Sequence, residues 1–467
     1  MDYWLVRAKW GGVENKKAEF INNDEWINGY DNKYLDIVNR VQVEDILLLA
    51  EESTVTHYGK CIENAQDGKH LTVDKWIILK EPISFPTQGV YTKAITKLND
   101  DYLIVIVKLE IEATIASNDI KIKSISIENF TVFKSELLGF SEELDIVVGE
   151  NGTGKSHLLK LLYALISSSN TLSLIDFNEE TTIPISSCIQ SCIEHDLNNI
   201  FKPDFLYNLI SKNKNESYIN LNLHKYSVRF VISTEGEIIV NNESIPQNFF
   251  KKGIVFIPAK EMLSFYEGFV PLYETRESSF DEIYYNLAKS LGLSVLKNIE
   301  SYPVESKLLS KLEEILEGKI LLERGRFYLV STKNGHKTEI ALIAEGLRKI
   351  ATIAQLIANG SLTKNSLLFW DEPEANLNPK LIRKMAELLV ELSRAGMQVF
   401  IATHSLFLVK ELEILRTQED KFKYFGLGFY QGDVRVSQSE DFEQLDDIII
   451  LDEELDQDDR FLAKENN

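Results

Sequence analysis

The chain has 467 residues, of which 44% are apolar and 26% are charged, and its formal net charge is −22. A single core rarely exceeds about 250–300 residues, so this length predicts two or three domains. The acidic balance excludes a protein whose whole surface binds nucleic acid. No apolar run approaches the roughly 18–20 residues of a membrane span, and the start MDYWLVRAKW lacks the basic and apolar regions of a secretory signal. We therefore expect a cytoplasmic protein with no membrane partner.

The first 115 residues are predicted to form a small β-rich, barrel-like module. Four of the five tryptophans fall within the first 76 residues, which marks a shift in composition. Short strand-like runs such as DILLLA, LTVDKWIIL and YLIVIVKLEI alternate with turn signals such as QDGK and LNDD. An alternating strand pattern restarts in ASNDIKIKSISIENF, so we place the boundary near Ala116.

The segment IVVGENGTGKSHLLKLL, which begins at Ile146, fits the phosphate-binding pattern GxxxxGK[ST] in full. A strand-like run precedes the loop and a helical run follows it, so backbone N–H groups and the helix N-terminus can face nucleotide phosphates. Lys155 would supply a positive charge and Ser156 a hydroxyl for Mg²⁺. The flanking strand and helix argue against the alternative, a chance glycine-rich turn. The predicted nucleotide-binding residues of this loop are Gly149, Glu150, Asn151, Gly152, Thr153, Gly154, Lys155, Ser156 and His157.

Two further motifs follow strand-like runs. SLLFWDEPEANLNP has an acidic pair at a strand end, in which Asp371 would hold Mg²⁺ and Glu372 would orient and deprotonate the attacking water. QVFIATHSLFL places His404 where a sensor of the γ-phosphate would lie. A lone histidine after a strand is more often a structural hydrogen-bonding residue, but the acidic pair upstream favours the functional role. We therefore predict that Glu372, His404 and Lys155 are the catalytic residues.

These motifs predict that residues 116–435 form an α/β domain with a mixed sheet and helices, the fold of a P-loop NTPase. An insertion at about 170–340 is expected to contain helices and the β-meander SYINLNLHKYSVRFVISTEGEIIVNNESI. Residues 436–467 are predicted to form an acidic tail, since the stretch from Glu440 to Asp459 has 11 acidic and no basic residues. Such a run is usually solvated, but its interleaved IIILDEEL could dock on a partner.

The order of the motifs resembles that of ABC-type ATPases, in particular the SMC/RecF/OLD-like branch (AAA family), which includes many prokaryotic genome-defence ATPases. The resemblance covers about Ile120 to Leu415. IKSISIENFTVFKSELLGFSEELDIVVGENGTGKS is similar to the first strands and loop of that branch, DEPEANLNP to its Walker B motif and D-loop, and ATHS to its switch histidine. It implies an ABC/SMC-head fold that hydrolyses ATP with Mg²⁺. IVFIPAKEML, from Ile254 to Leu263, takes the place of the Q-loop segment but has no glutamine.

The resemblance also implies a signature helix through which a second subunit completes the site, and LIAEGLRKIATIAQLIA is the matching segment. A full LSGGQ is absent, since Ala344 and Glu345 replace the usual serine. Gly346 would let the N-terminal N–H groups of the helix approach a γ-phosphate, with Lys349 nearby. The alternative is an amphipathic core helix, and both descriptions can hold. Two subunits would sandwich two ATP molecules, so we expect a homodimer or a higher homo-oligomer.

The first segment resembles the PUA/EVE-like barrels appended to modification-dependent restriction ATPases, in YWLVRA, FINNDEWINGYDNKYLDIVNRVQVEDILLLA and HYGKCIENAQDGKHLTVDKW. That resemblance implies a pocket for a flipped or modified base, with Trp10, Trp26 and Tyr30 as its walls. The alternative is that these aromatics fill a small core or that the module contacts protein. The 13 basic and 19 acidic residues up to Glu112 give a net charge of −6, which disfavours general DNA binding.

Together these observations predict an ATP-binding and ATP-hydrolysing switch. Nucleotide-dependent dimerisation would control a separate effector, a nuclease or toxin, in defence against phage, and nucleic acid would act through the first module. The alternative is an SMC/RecF-like ATPase of DNA repair or chromosome maintenance, which would need basic grooves or coiled-coil arms. The missing LSGGQ disfavours a transporter subunit. Only about 50 residues follow Leu415, so a nuclease domain within this chain is not expected.

Overall fold

A computed structural model describes residues 2–10, 14–86, 93–100, 103–108, 110–111, 121–172, 185–223, 227–240, 253–276, 278–297, 299–445, 460 and 464. The chain forms two compact units, Met1–Asp119 and Ile120–Asn467. Most of the predicted acidic tail, residues 446–459, 461–463 and 465–467, lies outside the described residues. Among those that are described, no helix is both long and apolar enough to cross a membrane.

The first unit is built on a seven-stranded sheet in the order β4-β7-β6-β5-β1-β9, with β8 beside β6. Alternate residues of β1 and β5 point to opposite faces, and both faces are buried, which explains the nearly continuous apolar runs YWLV and ILLLA. The β-rich fold predicted for this segment is thus confirmed. Its strands are β1 Tyr3–Arg7, β2 Lys9–Trp10, β3 Glu14–Asn15, β4 Glu25–Ile27, β5 Ile46–Glu51, β6 Thr54–Asn64, β7 His70–Val73, β8 Ile77–Ser84 and β9 Ile95–Lys97, and its helices are α1 Lys17–Asn23 and α2 Leu35–Val38.

One strand-like run of the first unit is helical instead. Residues 103–108, within YLIVIVKLEI, form a helical segment. Its start is fixed by Asp100, whose side chain accepts a hydrogen bond from the Leu103 N–H at 3.2 Å. The buried residues Leu103, Val107 and Ile111 recur every four positions, which places them on one face of a helix. Every residue in the run IVIV is both apolar and β-branched, so the composition of the run by itself favours a strand.

Of the three aromatic residues proposed as walls of a base pocket, Trp26 cannot take that role. Trp26 is 1% exposed, and its indole N–H donates to the Arg7 carbonyl at 3.0 Å. It therefore belongs to the core, as the alternative predicted, because its ring is enclosed and its one donor is satisfied. Tyr30 is half-buried and packs edge-on against Tyr34. The side chain of Trp10 lies outside the described residues.

The second unit is built around a six-stranded sheet in the order β16-β20-β21-β12-β22-β23. Its pairs are parallel except for β22 with β23, so the mixed α/β fold is confirmed. The strands are β10 Ile122–Phe130, β11 Phe133–Gly139, β12 Leu144–Gly149, β13 Glu216–Leu223, β14 Ser227–Ser233, β15 Ile238–Val240, β16 Ile254–Ile257, β17 Gly318–Glu323, β18 Arg326–Ser331, β19 Lys337–Glu339, β20 Leu367–Asp371, β21 Gln398–Thr403, β22 Phe422–Tyr430 and β23 Asp433–Ser439.

Helices cover both faces of the central sheet, as its apolar strands require. One core contains α3 and α4, and the other contains α8, α9 and α10. Side chains of β20 and β21 alternate between these two cores. The helices are α3 Lys155–Leu172, α4 Ile185–Phe201, α5 Phe269–Thr275, α6 Glu282–Leu291, α7 Pro303–Leu316, α8 Glu345–Ala358, α9 Pro379–Arg394 and α10 Leu406–Leu415.

A second, antiparallel sheet in the order β11-β10-β13-β14-β15 lies in the same unit, and β17, β18 and β19 form a third. Gln398 joins the first two sheets. Its buried amide accepts a hydrogen bond from the Ile122 N–H at 2.8 Å and donates to the Ile122 carbonyl at 2.9 Å. This tie fixes the start of β21 against β10.

The central sheet extends past the boundary that the sequence suggested at residue 435. Strand β23 continues to Ser439, and the ring of Phe442 contacts that of Tyr424, with 5.6 Å between their centroids. Leu445 is also buried. Burial of these two apolar residues keeps the chain on the sheet up to residue 445, despite its acidic composition.

Candidate active site

The predicted catalytic motifs meet at one edge of the central sheet. Strand β12 ends at Gly149, β20 ends at Asp371 and β21 ends at Thr403. The parallel register pairs Val148 with Thr403 and Asp371 with Ala402. Because parallel strands present their carboxyl ends on the same side, the three loops that follow lie next to one another. Val148 and Thr403, which are 255 positions apart in the sequence, are thereby brought together.

The phosphate-binding loop requires glycine at two of its positions. A Cβ on Gly149 would lie 2.4 Å from the carbonyl oxygen of Leu427, which a side chain cannot approach. Gly154 has a φ of +96°, and a Cβ there would lie 2.5 Å from Cγ2 of Val132. These glycines let the main chain turn tightly into α3, so that successive N–H groups can face an anion.

Lys155 lies inside the loop. Its Nζ donates to the carbonyl oxygens of Gly149 at 2.7 Å and Glu150 at 2.8 Å. Burial lowers the pKa of this ammonium, while the neighbouring carboxylates, first Glu372 and then Asp371, oppose that shift. The ammonium is therefore held where a phosphate could replace the two carbonyl partners.

The other predicted loop residues differ in their exposure and in their contacts. Thr153 is buried, and its hydroxyl donates to the Glu150 carbonyl at 2.8 Å, which closes the turn. Asn151 and Gly152 are exposed. The ring of His157 packs edge-on against Phe201, with 5.7 Å between centroids, so this ring contributes to helix packing.

Ser156 and Asp371 fit a magnesium site. One carboxylate oxygen of Asp371, Oδ1, is buried and has no hydrogen-bond partner among the described residues. Burial raises the pKa of this carboxyl, and the nearby Ser156 hydroxyl opposes the shift. A buried carboxylate oxygen without a partner is costly unless a cation or a donor satisfies it. Carboxylate and hydroxyl oxygens are ligands that Mg²⁺ prefers, so these two residues would hold the ion beside the nucleotide.

Glu372 and His404 face each other across the ends of β20 and β21. Oε1 of Glu372 lies 3.3 Å from Nδ1 of His404, and both side chains are partly exposed. Glu372 has a φ of +48°, in the left-handed region, which costs of the order of 1–3 kcal/mol for a residue other than glycine. Its N–H donates to the Ala402 carbonyl at 2.8 Å, so the neighbouring strand helps to hold this conformation.

The sequence did not identify two buried charged residues next to this pair. Glu374 is 4% exposed; its Oε1 accepts a hydrogen bond from the Thr403 hydroxyl at 2.5 Å and lies 3.9 Å from Nδ1 of His404. Lys349, which the sequence placed near Gly346 without a role, is 2% exposed and donates to the Glu372 carbonyl at 3.0 Å. Both lie in motif segments, but only the fold shows that they meet.

The structure changes the interpretation of Gly346. A Cβ on this residue would lie 2.6 Å from Leu377 and 2.7 Å from Leu381 of the same chain. The glycine therefore permits close packing of α8 on the D-loop and the start of α9, rather than leaving an open path to a second subunit. The exposed residue at the start of α8 is Ala344, its N-cap.

A separate group of possible metal ligands lies between α4 and α6. Ligand atoms of His195, Asp196 and Glu282 are within 4.8 Å of one another. Nδ1 of His195 lies 3.0 Å from Asp196, and its Nε2 lies 3.0 Å from the Asn199 amide. These two hydrogen bonds lie within α4, and Nδ1 of His195 is 3.9 Å from Oε2 of Glu282, so the group also includes a side-chain contact between the two helices.

Comparisons with known proteins agree with these motifs. The family described as "AAA domain, putative AbiEii toxin, Type IV TA system" matches residues 146–410, which is more than half of the chain. The matched segment begins in β12 and ends in α10, so it contains every motif residue described above. The first unit lies outside it.

Individual relatives are more distant. The Old nuclease of Escherichia phage P2 is 39% identical over 71 residues, which are 15% of this chain and 12% of that protein. An SMC head bound to the C-winged helix domain of ScpA matches 68% of this chain and 97% of its own, with 14% identity and a TM-score of 0.44. The SMC head domain from Thermotoga maritima matches 68% and 99%, with 14% identity and a TM-score of 0.38.

The first prediction concerns Glu372. Changing Glu372 to Gln should preserve ATP binding and slow single-turnover hydrolysis by at least about 100-fold, because the general base is lost and the positioning groups remain. Changing Lys155 to Ala should weaken ATP binding in addition to slowing hydrolysis. Glu387→Gln, at an exposed position of α9, is the matched control and should hydrolyse ATP normally. Hydrolysis by the Glu372→Gln protein at the parental rate would show that this carboxylate is not the base.

Proposed function

Since the chain belongs to the AAA-domain family described as containing a putative AbiEii toxin of type IV toxin–antitoxin systems, we propose that it is an ATP-driven switch. ATP closes two subunits on each other, and hydrolysis reopens them and resets a partner effector. One observation carries the ATPase part of this proposal. Lys155, the half-buried Asp371 and the Glu372–His404 pair, 3.3 Å apart, converge at the carboxyl ends of adjacent parallel strands.

In this proposal each side chain has its own task. Lys155 leaves the carbonyls of Gly149 and Glu150 and contacts the phosphates of ATP. Glu372 orients the attacking water and accepts its proton, while His404 lies beside this carboxylate and donates to the transferred phosphoryl group. Mg²⁺, when bound, would neutralise charge on the phosphate oxygens.

The exposed segment before α8 is the surface that we propose for closure. Leu342 is 76% exposed, and Ala344 exposes the helix N-terminus, where N–H groups lack intrahelical partners. An anion is favoured at such a position, which suits the γ-phosphate bound by a second copy. Two copies related by a two-fold axis would each complete the other's site, and two-fold pairing is the commonest closed symmetry.

The second prediction tests closure at Ala344. Asp and Asn are both favourable N-caps, so either substitution should preserve α8. Only Asp adds a negative charge that repels the γ-phosphate. In the Glu372→Gln background with ATP, Ala344→Asn should form dimers in light scattering, whereas Ala344→Asp should remain monomeric. Equal dimerisation of the two variants would contradict a phosphate contact at this helix.

Two comparisons support an effector in antiviral defence. The family description names a toxin of a toxin–antitoxin system, and the 71-residue match is to a phage nuclease. We propose that the closed form binds a separate nuclease or toxin. Pull-down with the Glu372→Gln protein in ATP should capture a partner that the Lys155→Ala protein does not. Equal yields from both would contradict nucleotide control of an effector.

We further propose that the first unit binds nucleic acid in a cleft that does not involve Trp26. The cleft has a volume of about 870 Å³ and is lined by Arg40, Lys93 and Lys97, with Gln42 and Asn99 as amide donors. Its lining contains three basic residues and one carboxylate, in a unit whose net charge is negative. This local reversal of charge suits a phosphate-bearing ligand.

The third prediction tests this cleft in the full chain. Replacing Arg40 and Lys93 together with Ala should weaken oligonucleotide binding about tenfold or more and reduce the salt dependence by roughly two phosphate contacts. Replacing the exposed Lys33 and Lys75 makes the same change in net charge outside the cleft and should have little effect. Equal losses in the two double variants would exclude the cleft. ATP-dependent binding of duplex DNA that survives both would instead favour the repair alternative.

A further inference from the structure

Lys349 is a buried lysine in the middle of the charged residues around the active site. It lies on α8, is 2% exposed, and donates to the carbonyl oxygens of Glu372 at 3.0 Å and Pro373 at 3.4 Å. Burying an ammonium group is unfavourable unless it is hydrogen-bonded or compensated by opposite charge. Burial lowers its pKa, and the carboxylates of Glu374, Glu345, Glu372 and Glu261 oppose this shift. Burial of the Lys349 ammonium therefore has a free-energy cost that its hydrogen bonds and the nearby carboxylates must offset.

The Lys349 contact holds a residue whose main chain has an unfavourable conformation. Glu372 has a φ of +48° and is held from two sides. Its N–H donates to Ala402 in β21, and its carbonyl accepts from Lys349 in α8. With both main-chain groups bonded to different elements, the direction in which the carboxylate leaves the backbone is determined.

The start of the same helix is bound to the D-loop. The Asn376 amide donates to the Glu345 carboxylate at 2.9 Å, and Gly346 packs against Leu377. One turn further, Nε of Arg348 lies 2.9 Å from Glu261, in the loop after β16. The helix N-terminus and the segment 371–378 therefore form one packed unit within a subunit.

We propose that Lys349 is a positioning residue that holds the main chain of Glu372 and links α8 to the hydrolytic carboxylate of the same subunit. This inference rests on the proposed function, because it concerns hydrolysis and closure. The N-terminus of α8 contacts the nucleotide of the second copy, whereas Lys349 acts on the carboxylate that serves its own nucleotide. A displacement of α8 on closure is thus transmitted to the Glu372 main chain, and the two ATP sites are coupled.

The test compares Lys349→Met with Lys349→Arg and with Gln355→Met. Gln355 is a matched control, since it is a buried polar residue of the same helix and donates at 3.0 Å to the main-chain carbonyl of Leu291 rather than to that of Glu372. Lys349→Met should lower kcat about 10- to 100-fold while KM and ATP affinity change less than about twofold. Lys349→Arg should recover part of kcat. Gln355→Met should lower the melting temperature and leave kcat unchanged.

A second pair of variants separates positioning from charge balance. Lys349→Met leaves the buried Glu374 without its nearby cation, so the same change is also made in a Glu374→Gln background. If lost hydrogen bonds to Glu372 cause the defect, kcat stays low relative to Glu374→Gln alone; if uncompensated charge causes it, kcat recovers and the proposal is overturned. Should Lys349→Met fail to fold, this double variant carries the comparison.

The remaining outcomes also distinguish the proposals. A parental protein that does not hydrolyse ATP would refute the proposed function. A parental protein that hydrolyses ATP, with Lys349→Met at the same kcat, would refute only the role of Lys349. Equal losses of kcat in Lys349→Met and Gln355→Met would show that the lysine merely supports the fold.

Discussion

The parallel register of β12, β20 and β21 is the constraint on which the site depends. Pairing of Val148 with Thr403 and of Asp371 with Ala402 brings three loops to one edge, although their residues are widely separated in the chain. Both faces of these strands are buried, so a shift of one residue would move each side chain into the opposite core and disrupt the packing of both. The register is therefore fixed by the two cores, and the positions of Lys155, Asp371, Glu372 and His404 follow from it.

A second consequence of this arrangement is that the site is rigid on one side and open on the other. The Glu372 main chain is tied to β21 and to α8, and Gly346 packs on the D-loop. By contrast, Leu342 and Ala344 are exposed at the N-terminus of α8. A packed link between an exposed helix end and the Glu372 carboxylate is suited to transmitting contact with a second copy, because packed elements move as units rather than deforming continuously.

The sequence predicted the parts of the site that lie in contiguous motifs. Strand ends can be recognised from local pattern, and an apolar strand ends at or just before each of Lys155, Asp371, Glu372 and His404. It could not show that Lys349 bonds the Glu372 carbonyl, since that contact joins residues 23 positions apart through tertiary packing. The close packing of Gly346 depends on Leu377 and Leu381 for the same reason. In the first unit, an apolar run that favoured a strand became helical because Asp100 caps it and its buried residues recur every four positions.

The central claim is that the hydrolytic site is complete only when two copies meet. It is tested most directly by the ATPase rate per subunit, measured over a range of protein concentrations in which light scattering follows the monomer–dimer equilibrium. The rate per subunit should rise with concentration in parallel with the dimer fraction and then reach a plateau. A rate per subunit that stays constant while the dimer dissociates would contradict the claim and show that one chain hydrolyses ATP alone.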